Sequence, residues 1–236
     1  MSIGRRSLAD VAYETLRAAI SAGDWPPGYV LVEKELTQEL GMSRTPIREA
    51  LRRLQADMFL EVGRAGGAVV PERGRRDLIL DYMIRAELEG LAASLAAKRI
   101  SQDELAVLES LTDKMIAGLQ DHGSPEDYLE MNEDFHARMV QASGYDRLIT
   151  FHEVLRDTIR VASRKELSRS TPDELMAAVE EHRQITNALR NRGEDAARDL
   201  ARHHVLKGVI WLTHKKGTPS DGHPLLPDDR QEDLSS

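Results

Sequence analysis

Three imidazoles carry the first chemical signal in the sequence. His136, His182 and His204 lie on three separate segments of helical period, each near mid-length and on the inward stripe. The stripes read Leu129, Asn132, His136, Met139 and Ser143; Leu175, Val179, His182, Ile185 and Leu189; and Ala197, Leu200, Ala201, His204, Val205 and Trp211. Asn132 stands one turn before His136, and His203 falls off the last stripe. One histidine on such a stripe reads as a core residue with a hydrogen-bond partner. Three at matched depth need every ring nitrogen satisfied in a single low-dielectric site. A divalent metal does this directly, because neutral imidazole is a common ligand. Nitrogen with one amide oxygen suits Zn²⁺, Ni²⁺ or Mn²⁺.

A second signal lies nearer the N-terminus. Arg44, Arg48 and Arg52 recur every four residues beside Thr45, while Ile47, Ala50, Leu51 and Leu54 form the apolar stripe of the same helix. An arginine row at the start of a helix suits the major groove, where Arg bonds guanine O6 and N7 in bidentate fashion. Thr45 and the first-turn N–H groups suit a phosphate, and Lys34, one helix earlier, is placed for a backbone contact. Gly66 and Gly67 would let a hairpin tip approach the minor groove. By itself the row also reads as a solvated face paired with Glu49 and other surface acids. Its coincidence with a helix-turn-helix spacing and a glycine hairpin favours DNA.

Elements to position both sets follow from periodicity and punctuation. Helices are expected over 8–20, 32–40 and 43–56, the last with Pro46 in its first turn, then a small β-hairpin from Leu60 to Pro71. Together these make a winged helix-turn-helix. Six further helices are expected near 77–98, 101–119, 125–143, 146–166, 172–190 and 194–214. Ser101 with Glu104 and Thr171 with Glu174 sign capping boxes, Ser124-Pro125 puts proline at a first helical position, and Gly144 and Gly193 are expected stops. The expected class is mainly α: a winged helix-turn-helix over 1–76, an antiparallel all-α bundle over 77–216, and a disordered acidic tail over 217–236.

The chain has 236 residues, no cysteine and a formal net charge of −8. Absent cysteine excludes a disulfide framework, a thiolate metal site and a cysteine nucleophile. No run approaches a membrane span and no signal pattern opens the chain, so a cytoplasmic protein without membrane contact is expected. The net charge argues against DNA only as a total. Residues 1–76 carry 12 basic and 10 acidic residues, 77–216 carry 19 and 25, and 217–236 carry 1 and 5. The rival class is a metal-dependent helical-bundle enzyme. Di-iron bundles place Glu-x-x-His on each of two helices, and only Glu133-x-x-His136 fits here. HExxH and a phosphate-binding glycine loop are absent as well.

The string from Glu35 through Arg44, Thr45 and Arg48 to Leu54 closely resembles the winged-helix signature of GntR-type bacterial repressors, and Gly67-Ala68-Val69-Val70 resembles their wing. That resemblance implies operator contacts at Lys34, Arg44, Thr45 and Arg48, with Gly67 at the wing tip. Met58 stands where the family usually has glycine. Asn132-Glu133-Asp134-Phe135-His136, Glu181-His182-Arg183 and Arg202-His203-His204 resemble the ligand-binding FCD domain of the FadR subgroup, in its six-helix, VanR-like form. The second resemblance implies a metal held by three histidines and an acid, whose position here is Asn132. It also implies a small carboxylate effector, with Arg85, Arg156 and Arg160 as candidate anion partners. The expected regulator is a homodimer, a repressor on a pseudo-palindromic operator in double-stranded DNA.

Overall fold

The computed structural model describes residues 7–63, 66–121, 124–167 and 170–214, without the side chains of 75, 125, 161–167 and 209–214. The expected acidic tail lies outside these residues, as does the side chain of Trp211. In the head, α1 (Leu8–Ala22) starts at a capping box between Ser7 and Asp10. β1 (Val30–Leu31), α2 (Glu33–Glu39), α3 (Arg44–Ala56), β2 (Glu61–Val62) and β3 (Ala68–Val69) follow. The strands pair antiparallel in the order β1-β3-β2, with Val30 opposite Val69 and Glu61 opposite Val69 on the other edge. The expected hairpin thus acquires a third strand. Leu16, Ile47, Leu54 and Leu60 are sealed in the head core, so the apolar stripe of α3 faces inward and its arginines outward.

The bundle comprises α4 (Arg75–Ala97), α5 (Gln102–Gln120), α6 (Pro125–Gln141), α7 (Asp146–Leu167), α8 (Pro172–Arg190) and α9 (Glu194–His214). All helix ends fall within two residues of those expected from periodicity. Capping boxes form at Ser101 and Thr171, and Pro125 opens α6. Small residues bring α4 close to its neighbours: Ala92, Ala93, Ala96 and Ala97 are fully buried, and a Cβ on Gly90 would sit 3.1 Å from the Arg198 carbonyl of α9. Phe135, Met139, Met115, Ile185 and Leu189 fill the centre. Among the described residues no helix is long and apolar enough to cross a membrane.

Two chain reversals use side-chain-bearing residues in the left-handed region. Gly193 was the expected stop for α8, but the left-handed residue is Arg192, with φ 58°. After α3, Asp57 caps the helix and Met58 takes φ 61°, so that Phe59 N–H reaches the Leu54 carbonyl at 2.8 Å. A left-handed residue with a Cβ costs roughly 1–2 kcal/mol relative to glycine. The Met58 side chain is 59% exposed, so little packing compensates. Met58→Gly should therefore stabilise the protein by about 1 kcal/mol, net of the extra freedom glycine gives the unfolded chain. In a thermal melt this is a rise of roughly 2–4 °C. An unchanged or lower midpoint would contradict it.

Candidate functional site

On the head, Arg44, Thr45, Arg48 and Arg52 all lie exposed on α3, and Lys34 is exposed in the first turn of α2. Arg48 is not a free cation in the isolated chain. Its Nε and Nη2 donate to Glu33 Oε1 and Oε2 at 3.0 and 2.9 Å. Arg48 holds the Glu33 carboxyl below its usual range, with Arg44 and Arg52 adding weaker attraction. A two-pronged bond orients the guanidinium across the α2–α3 turn. The salt bridge is solvent-exposed, so a phosphate or guanine can displace Glu33 at modest cost. Gly66 and Gly67 stand at the β2–β3 hairpin, where Gly63 N–H bonds the Gly67 carbonyl at 2.8 Å and Gly66 has φ 84°.

In the bundle, α6, α8 and α9 bring His136, His182 and His204 together. His182 Nε2 lies 3.4 Å from His136 Nε2 and 3.1 Å from His204 Nε2. The far nitrogens of two rings meet carboxylates: His136 Nδ1 lies 2.6 Å from Glu89 Oε2, and His204 Nδ1 lies 2.7 Å from Glu181 Oε2. An ionised carboxylate accepts only, so each Nδ1 carries the proton and each Nε2 offers a lone pair. His182 can place one Nε2 proton on only one of its two neighbours. Its own Nδ1 is buried with no hydrogen-bond partner. A cation among the three Nε2 atoms would satisfy what protons cannot, so the residues fit a metal. Burial pushes His136 down to about 4, against the pull of Glu89, and pushes His182 well below 6.5. Both rings are neutral near pH 7, as ligands must be.

His136 and His204 border a cavity of about 300 Å³. Asn132, half-buried, lines it one turn from His136. Arg85 and Arg156 also line it, whereas Arg160 is not among the lining residues and reaches Glu133 Oε2 at 3.3 Å. Each expected anion partner thus meets an acid: Arg85 Nε donates to Glu89 at 2.6 Å, and Arg156 Nε and Nη2 donate to Asp157 Oδ1 at 3.1 and 3.0 Å. Glu89, fully buried on α4, escaped the sequence reading although it organises the site. It binds Arg85, His136 and His152, whose Nε2 lies 2.9 Å away. Burial alone would raise its carboxyl, but Arg85 and His136 hold it well below the usual range. The only sequence signal was its i,i+4 spacing from Arg85, which surface pairs share. Glu181 stood in the string with His182, but its contact with His204 was not legible there.

Neutral burial of these rings has a definite pH signature. An unfolded histidine takes up its proton near pH 6.5, while native His136 resists protonation down to about 4. Between those values the unfolded chain holds more protons, so stability is complete above pH 6.5 and falls as pH drops toward 4. Metal-stripped protein should lose about 2 kcal/mol between roughly pH 7 and pH 5 from His136 alone, with His182 adding in the same direction. Urea denaturation measures this, and His136→Gln should flatten the slope. A flat profile in the parent protein would contradict neutral burial.

Comparison with known proteins agrees with both halves. Residues 8–70 match the bacterial regulatory proteins of the gntR family, and residues 81–207, over half the chain, match the FCD domain. The chain is 32% identical to the HTH-type transcriptional regulator McbR of Escherichia coli over 84% of this chain and 89% of that protein. A solved structure of E. coli McbR/YncC superposes with a TM-score of 0.74 at 29% identity, covering 89% of this chain and 98% of the other. The galactonate operon transcriptional repressor of E. coli is 27% identical over 79% of this chain and 89% of its own length. The chain belongs to the gntR family of bacterial regulatory proteins, in its FCD-domain form: it is a sequence-specific DNA-binding transcriptional regulator with a helical effector-sensing domain, not a member of an enzyme class.

Proposed function

We propose that the protein is a repressor of the FadR subgroup, VanR-like in its six-helix sensor, that binds a pseudo-palindromic operator as a homodimer and is controlled by a small carboxylate metabolite. In this reading residues 1–76 form the reading head, 77–216 sense and dimerise, and 217–236 are an acidic tail. Lys34, Arg44, Thr45, Arg48, Arg52 and Gly67 form the DNA face. His136, His182 and His204, with the Asn132 amide oxygen, hold Zn²⁺, Ni²⁺ or Mn²⁺. When bound, the metal supplies a Lewis-acidic position for an effector oxygen. Arg85 and Arg156 line the same cavity, and Arg160 pairs with Glu133, which also lines it. The convergence of three Nε2 atoms beside a cavity bordered by two arginines is the observation that carries this reading. The relative that represses a galactonate operon is named for a carboxylate, in keeping with a carboxylate effector here.

Two measurements test it. On a duplex selected from random sequence by the parent protein, Arg44→Ala and Arg48→Ala should each weaken binding by about 5- to 150-fold, as expected for loss of a 1–3 kcal/mol base contact. Binding to unselected DNA should change less. Unaltered affinity for the selected site would remove these residues from the DNA face. Second, protein purified without a metal-affinity tag should carry about one Zn, Ni or Mn per chain by elemental analysis. His182→Ala should abolish this, and Glu89→Gln should weaken metal affinity by roughly 10- to 100-fold. A metal-free parent protein that still responds to an organic acid would overturn the metal assignment.

A further inference from the structure

Head and bundle meet at a buried carboxylate. Asp157 on α7 is 5% exposed, and its two oxygens serve two arginines from different parts of the molecule. Oδ1 accepts both Nε and Nη2 of Arg156, which lines the sensor cavity. Oδ2 lies 3.0 Å from Nε of Arg17 on α1, in the head. Tyr13 lies one turn before Arg17 on the same helix, and the Arg17 charge acts on its hydroxyl. Tyr13 Oη donates to Asp57 Oδ2 at 2.7 Å, and Asp57 is the C-cap of α3. Two more contacts fasten the same helices: Arg53 Nη1 donates to Asp10 at 2.7 Å, and its guanidinium lies 4.4 Å from the Tyr13 ring centroid. Two polar links joined through α1 therefore run from the cavity wall to the end of the arginine-bearing helix.

The chemistry of Arg156 makes the path responsive. Its fork is committed to a single Asp157 oxygen, and a carboxylate entering the cavity would compete for the same N–H groups. A buried carboxylate that loses one of two counter-charges must be compensated by the other or shift. Resting on the reading that the cavity takes an anionic effector and the head binds DNA, we propose that Asp157 transmits cavity occupancy to the DNA face. An anion that takes the Arg156 fork leaves Asp157 to Arg17, and α1 passes the change through Tyr13 and Asp57 to the end of α3. Asp157 and Arg17 are thus positioning residues, distinct from the groups that hold metal or contact DNA.

Hydrogen exchange on the full-length chain tests this without effector or operator. Arg156→Ala mimics withdrawal of the fork and should change amide exchange over residues 53–60 by roughly threefold or more. In an Arg17→Gln background the same substitution should leave that segment unchanged, because the link to α1 is already cut. Asp157→Asn should insulate the head in the same way; if it fails to fold, the Arg17→Gln cycle decides alone. The relay is overturned if Arg156→Ala leaves residues 53–60 unaltered, or alters them equally with and without Arg17. A purely structural Arg156 would loosen α7 alone. An inert cavity or a head that ignores DNA would leave this cycle intact and appear instead in the metal and DNA measurements.

Discussion

Taking imidazoles out of water is the constraint on which the bundle is built. Three rings meet between α6, α8 and α9, one pair T-shaped, one tilted and one stacked, and neither His136 nor His182 can be protonated there without burying a charge. Those two rings must therefore be neutral, with the one proton of each directed. Glu89 and Glu181 accept at Nδ1 of His136 and His204, which turns both Nε2 lone pairs toward His182. Glu89 is itself a charge in the core and needs its own compensation from Arg85 and His152. The chain of requirements explains why α4 comes so close to its neighbours. Its alanines and Gly90 let the helix approach, and Glu89 then reaches the rings.

The same electrostatic rules give opposite outcomes at the surface. The Arg48–Glu33 bridge is well aligned yet exposed, so it orients a guanidinium without committing it. On the proposed DNA face, contact there would require only exchange of one acceptor for another. The charge total of −8 conceals this, because the acidity belongs mostly to the bundle and tail while the arginines concentrate on α3. Phosphate attraction acts over a screening length of about 8–10 Å, so local charge decides. Between these regimes lies Asp157, buried but shared between head and bundle.

What was legible in the sequence was what depends on local period. The histidine stripes of α6, α8 and α9, the capping boxes at Ser101 and Thr171, and the inward face of α3 all repeat at helical spacing. What was hidden depends on partners far along the chain. β1 is two residues long and exists only because Val69 pairs with Val30. Glu89 meets His136 and His152 across 47 and 63 residues, and a lone acid in a helix resembles any solvated one. Arg156 was visible as a candidate, but its attachment to Asp157, and through it to Arg17, is a fact of packing. Met58 was visible as a departure from family pattern, although its left-handed conformation was not.

In the proposed reading, buried His136 and His182 with part-buried His204 hold a metal that makes the bundle a sensor. Anomalous diffraction from crystals grown with Zn²⁺, recorded on both sides of the zinc edge, tests it most directly. The account predicts a single strong peak among His136, His182 and His204, about 2.0–2.1 Å from each Nε2, with the Asn132 oxygen or an effector oxygen completing the shell. No peak there, with the rings still in contact at hydrogen-bonding distance, would contradict it.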